Sequence, residues 1–146
     1  MPNSLRVLII DDELPRARQI IETLQQAGYD PLWECVAEAS EFRTALENSW
    51  DLILCCDRLD RFDAHAALKL LQHQGVEAPL IVLADQPGED PAVAAMQAGA
   101  RDYVLHSQRS SLGARVQKVL HQQQVRMAQR RLGQALQEHR ERMRLI

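Results

Sequence analysis

Short blocks of consecutive apolar residues recur along the chain. Each is followed by a longer stretch in which apolar positions return every three or four residues. The blocks are RVLII (6–10), LWECVA (32–37), LILCC (52–56), LIVLA (80–84) and YVL (103–105). Continuous rather than alternating apolar runs predict strands covered on both faces. Between them, Leu14, Ala17, Ile20, Ile21 and Leu24 predict a helix over 14–26, stopped by Gly28. Phe42, Ala45 and Leu46 mark a short second helix. Ala66, Ala67, Leu68, Leu70 and Leu71 mark a third that closes before Gly75. Pro91 fits the first position of a fourth helix, with Glu89 and Asp90 favouring its positive end and Gly99 closing it. Leu112 begins the last helix.

Alternating strands and helices predict an α/β fold, a doubly wound five-stranded parallel sheet with helices on both faces. In such sheets chemistry gathers at the carboxyl ends of the strands. Here those ends are Asp11–Asp12, Cys56–Asp57, Ala84–Asp85 and His106.

The last helix is too long for the domain it closes. No proline intervenes from Leu112 to Met143, and Gly133 is the weak point. Some 30 residues of helix span roughly 45 Å, enough to project beyond the body. Val125, Ala128, Leu132 and Ala135 form a short a/d seam, which His139 and Arg142 break. From His121 onward six arginines face two glutamates, although the whole chain carries a net charge of −3. An acidic body and a basic tail divide the chain into a domain over 1–120 and a helical extension over 121–146. The extension reads as a linker to a further, output domain of the same polypeptide.

The charge argues against nucleic-acid binding by the chain as a whole. No apolar run approaches 18 residues, so membrane insertion is not expected. No signal peptide is read. Cys35, Cys55 and Cys56 are an odd set without framework spacing, read as reduced thiols of a cytoplasmic protein. His65 and His73 fall on the exposed side of the third helix, and Trp33 and Trp50 read as packing residues.

The acidic pair in IIDDE has two readings. It is an acidic turn favouring the start of the next helix, or two carboxylates whose repulsion a hard divalent cation relieves. Context extends the second. RVLIIDDE at the start, DLIL and the L…FD spacing around the third block, APLIVL at the fourth and GARDYVL (99–105) at the fifth resemble the receiver domain of two-component response regulators. The resemblance covers about residues 5–120. It implies a flavodoxin-like (βα)5 fold that takes a phosphoryl group from a histidine kinase onto an aspartate. An Mg²⁺ ion would be held at Asp11 and Asp12.

Position by position, the resemblance also implies departures. With Leu59 on the family leucine and Asp63 on its second aspartate, Asp60 stands at the proline and Ala64 at the glycine. The acceptor position then falls on Cys56, and counting on from Asp51 gives the same place. Ala84 stands where the family carries a Thr or Ser hydroxyl. His106, followed by Ser107, stands where it carries a lysine. Tyr103 keeps the aromatic position.

The expectation is therefore a pseudo-receiver. It is not an enzyme and requires no cofactor, with Mg²⁺ possible at the acidic pair. It acts by homodimerisation or protein docking, through a face near Ala92, Gln97, Tyr103 and Arg115. Two alternatives stay open. Asp57 could serve as acceptor with Mg²⁺, although strand alternation turns it away from the side Cys56 faces unless a bulge re-aims it. Cys56 could be a redox thiol or join Asp11 and Asp12 at a metal, although neighbouring carboxylates disfavour a thiolate.

Overall fold

The computed structural model describes residues 3–57 and 62–144. Five strands, β1 (Asn3–Ile10), β2 (Tyr29–Val36), β3 (Leu52–Cys56), β4 (Leu80–Ala84) and β5 (Asp102–Leu105), form one parallel sheet in the order β2-β1-β3-β4-β5. The helices are α1 (Leu14–Gln26), α2 (Ala39–Ala45), α3 (Ala64–Gln74), α4 (Glu89–Gln97) and α5 (Leu112–Arg144). A short 3₁₀ turn over His106–Ser111 joins β5 to α5.

Strand alternation sorts the core into two layers. Leu5, Val7 and Ile9 of β1 with Leu52 and Leu54 of β3 pack against Ile20 and Leu24 of α1 and Leu112, Val116 and Val119 of α5. Leu8, Ile10, Ile53 and Cys55 point the other way, onto Phe42 of α2 and Ala67, Leu68 and Leu71 of α3. Both central strands, β3 and β4, are buried at every position, which is why their sequences do not alternate. Parallel pairing sets Ile10 beside Cys55 and Cys55 beside Val82. One step further on, Asp11, Cys56 and Leu83 reach the carboxyl edge at the same level.

Several boundaries differ from the pattern-based expectation. β2 begins at Tyr29 rather than Leu32, because its pairing with β1 runs from Asn3↔Tyr29. Pro31 is tolerated because β2 is an edge strand. α4 begins at Glu89 with Gly88 at its N-cap, so Pro91 is its third residue rather than its first. There too a helical N–H has no intrahelical partner, so the missing donor costs nothing. The 3₁₀ turn had no periodic signal to announce it.

Helix α5 runs unbroken through Gly133 for 33 residues, about 50 Å. Its first two turns are core. Gln123 then donates to the Glu77 carbonyl at 2.7 Å, and Arg130 forms an ion pair with Glu77. Beyond that point the helix is exposed, including Leu132, Leu136 and Met143. At the other end Gly113 lies against α1. A Cβ there would stand 2.5 Å from the Cβ of Ala27. Among the described residues no helix is long and apolar enough to cross a membrane.

Candidate functional site

The carboxyl edge of the sheet carries a charged cluster centred on Arg16, a residue that its sequence position alone did not single out. Asp11 is the buried charged residue of the described chain, 2% exposed. Its Oδ1 accepts from the Glu13 backbone N–H at 2.9 Å and from Arg16 Nη2 at 2.6 Å. Its Oδ2 accepts from Arg16 Nε at 2.7 Å. This is the fork-to-carboxylate geometry in which both partners are held in one plane by two short charge-assisted bonds.

The same guanidinium reaches further. Arg16 lies 3.5 Å from Asp12 Oδ1, 4.0 Å from Glu13 Oε2 and 3.5 Å from Asp85 Oδ2, with its side chain 17% exposed. Acids from the β1–α1 turn and from the end of β4 thus converge on one cation. Hydrogen bonding to Asp11 raises the Arg16 pKa above its already high value, against the opposing effect of burial. A signal for this residue did exist in the sequence. Arg16 sits in the first turn of α1, where the positive end of the helix dipole disfavours a cation. An arginine there requires nearby acids, and Asp12 is four residues before it.

The Mg²⁺ implied by the family resemblance can be tested against this arrangement. Mg²⁺ needs free oxygen ligands at about 2.0–2.1 Å in an octahedron. Both Asp11 oxygens are engaged, and a positive charge already lies among the carboxylates. At the end of β3 Cys56 offers sulfur, which hard cations do not favour. No group of three or more His, Cys, Asp or Glu side chains among the described residues is placed to hold a metal. As arranged here, the residues do not fit Mg²⁺.

Cys56 ends β3 and is buried. Its Sγ lies 3.7 Å from His106 Nε2, and that nitrogen lies 3.8 Å from Asp85 Oδ1. A thiol–imidazole–carboxylate relay uses both ring nitrogens, one for the thiol and one for the acid. Here both contacts are to Nε2, so the three do not form a relay. Burial pushes the His106 pKa below its ordinary value, with Asp85 partly opposing the shift. The imidazole is therefore neutral near pH 7 and does not present the fixed charge of a lysine. Burial also drives the Cys55 thiol upward, and it raises Cys35 to about 11. Cys35, Cys55 and Cys56 are thiols and form no disulfide.

Asp57 follows directly on the strand. Its N–H donates to the Leu83 carbonyl at 2.9 Å, and its Oδ2 accepts from the Tyr103 hydroxyl at 3.1 Å. Its carboxylate is thus held at β5. Ala84 closes β4 as a fully buried methyl. Asp63 is the N-cap of α3 and accepts from the Ala66 N–H at 2.9 Å. Leu59 and Asp60, used to set the alignment of the third block, lie outside the described residues.

On the face near Ala92, Gln97, Tyr103 and Arg115, α4 contributes no buried residue and exposes Val93 and Met96. Arg115 pairs there with Asp102 at 2.8 Å. His65 and His73 are exposed, and the Trp50 indole N–H donates to the Ala45 carbonyl.

Residues 7–117 match the family described as the response regulator receiver domain. Curated relatives include the transcriptional regulatory protein ZraR of Escherichia coli, 28% identical over 107 residues, covering 70% of this chain and 23% of the relative. The phosphate regulon transcriptional regulatory protein PhoB of Klebsiella pneumoniae is 29% identical over 105 residues, covering 68% and 44%. The chain thus spans less than half the length of these relatives. Among solved structures, a response regulator receiver domain protein from Clostridium thermocellum superposes with a TM-score of 0.71 at 21% identity, covering 83% of this chain and 98% of that one. The receiver domain of the sensor histidine kinase PA1611 from Pseudomonas aeruginosa, with magnesium coordinated in its active-site cleft, gives a TM-score of 0.67 at 24% identity. It covers 81% and 98%. At these identities the structural likeness establishes the fold.

Proposed function

Starting from the response regulator receiver family, to which this chain belongs, we propose that it is a receiver that has left phosphoryl chemistry and acts by binding. The observation that carries this is the pairing at the end of β3. Cys56, which counting along the third block assigns to the acceptor register, lies beside His106, while the adjacent carboxylate of Asp57 accepts from Tyr103. In-line phosphoryl transfer needs acceptor, metal and donor in a fixed relation. A buried thiol, a methyl at Ala84 and an imidazole at His106 supply neither the oxygen nucleophile nor the hydroxyl and ammonium that the receiver family uses.

The binding role rests on α5. Beyond Gln123 it exposes Val125, Leu132, Leu136 and Met143. Val125 and Leu132 are seven residues apart, as are Leu136 and Met143, so each pair returns to one side of the helix. A second copy packed along this stripe would cover them, and the helix would carry the dimer's geometry onward. In this reading residues 1–120 are the receiver and 121–146 the connecting helix. The output lies in the part of the polypeptide for which the longer relatives leave room. The module works in the cytoplasm, without nucleic-acid contact of its own.

Incubation with acetyl phosphate and Mg²⁺, followed by intact-mass measurement, tests the first part. No phosphoryl adduct is expected. An adduct lost in Asp57→Ala would return the protein to the phosphorylated receivers. Sedimentation equilibrium tests the second part: a concentration-dependent dimer weakened in Leu132→Glu is expected, and a strict monomer at high concentration would refute it.

A further inference from the structure

The acidic pair to which the family resemblance assigns a divalent cation already faces a guanidinium. We infer that Arg16 is the pocket's resident cation, so that the acidic cluster is neutralised from within the chain and does not recruit a divalent metal. The inference goes beyond the binding role proposed above, because it concerns the charge of the pocket and not the acceptor.

The geometry is specific. Carboxylates at the end of β1, in the following turn and at the end of β4 must be brought together by folding, and their mutual repulsion must be answered. Asp11 is buried and takes the full fork of Arg16 through both oxygens, at 2.6 and 2.7 Å. Asp12 and Asp85 each lie 3.5 Å from the same guanidinium. A guanidinium stays charged at every pH at which the protein folds, so this neutralisation cannot be titrated away. It is also tethered. The cation is part of α1, and its local concentration does not depend on the metal content of the surroundings. A metal entering the pocket would have to displace two charge-assisted hydrogen bonds and then lie against a half-buried positive charge.

Two consequences distinguish this from an ordinary surface ion pair. The folded protein should be indifferent to Mg²⁺ and Mn²⁺. Removing the guanidinium should expose a set of carboxylates that a divalent ion can answer instead. The test is a titration with Mn²⁺ followed by the electron paramagnetic resonance signal of the free ion, with thermal unfolding in parallel.

Wild type and Arg16→Lys, which keeps the cation, should bind no Mn²⁺ and show no change in Tm. Arg16→Met should bind about one equivalent, with a dissociation constant of about 10⁻⁴–10⁻³ M, as for the weakest oxygen-ligand Ca²⁺ modules. At tenfold excess over its dissociation constant the metal should raise the Tm of that variant by about 3–5 °C. Wild-type protein binding Mn²⁺ as tightly as Arg16→Met would overturn the inference, and so would folded Arg16→Met that binds none. If Arg16→Met does not fold, the wild-type titration still decides, since one equivalent of Mn²⁺ bound there places a metal where Arg16 should be. The Mn²⁺ titration reads the charge of the pocket and the sedimentation experiment reads the binding role, so a metal-binding wild type and a strict monomer are distinguishable failures.

Discussion

Removal of Arg16 should strand Asp11, and the size of that effect can be worked from the contacts. In Arg16→Met the buried carboxylate keeps a single hydrogen bond, from the Glu13 N–H at 2.9 Å, and faces Asp12 and Asp85 without an intervening cation. Breaking a buried pair by deleting one partner costs about 3–5 kcal/mol. Arg16 retains some exposure, 17% of its side chain, so the lower figure of about 3 kcal/mol applies. For a domain of this size that corresponds to a Tm lower by roughly 6–12 °C. Asp11→Asn should cost less, about 1–2 kcal/mol, because Arg16 retains Asp12 and Asp85 and the amide oxygen still accepts from Glu13. The double variant leaves no stranded charge and should resemble Asp11→Asn alone. The coupling in the cycle is then about 3 kcal/mol, the full cost of Arg16→Met alone. Urea unfolding in EDTA, followed by circular dichroism, measures all three variants on one scale, with an unchanged m-value as the check that the compared states are the same. Costs of the single variants that add to within about 0.5 kcal/mol would refute the central role given to this pair.

Two further outcomes are expected. In Gly113→Ala the new methyl meets Ala27 at 2.5 Å; overpacking at about 1–3 kcal/mol outweighs the gain in helix propensity of up to about 1 kcal/mol. The variant should be less stable by urea unfolding, and Ala27→Gly should restore it. His106 has a folded-state pKa lowered by burial, so the unfolded chain binds the additional proton first. Its contribution is present above the unfolded value of about 6.5 and is lost as pH falls through the folded value. Denaturation midpoints of His106→Gln should therefore fall less steeply than wild type below about pH 6.5, and parallel slopes would show that His106 does not carry this sensitivity.

Much of the fold was legible because its signals are local. The unbroken apolar runs at Leu52–Cys56 and Leu80–Ala84 are strands with those bounds, and Leu14–Gln26 is the helix its spacing predicted. Misplaced ends had non-local causes: β2 starts at Tyr29 because β1 is there to pair with it, and Pro91 lies inside α4 because Gly88 and Glu89 begin the turn. The site divides in the same way. Counting along the third block singled out Cys56 and Asp57 as neighbours one residue apart. Their different partners, His106 and Tyr103, come from β5 and the turn after it, nearly fifty residues further along the chain.

What the sequence by itself determined was the order of strands and helices, the acidic turn after β1 and the residue at each strand end, since these depend on side-chain periodicity and on position along the chain. What only the tertiary structure decided was the charge balance of the pocket. Arg16 belongs to the first turn of a helix and Asp85 to the end of a strand some seventy residues later, and nothing in their spacing relates them. They meet because β1 and β4 flank β3 in the sheet and deliver their carboxyl ends to one edge. Coulombic attraction acts over ångströms in space and is blind to separation along the chain, so the partner of a buried charge becomes visible once the chain has closed around it.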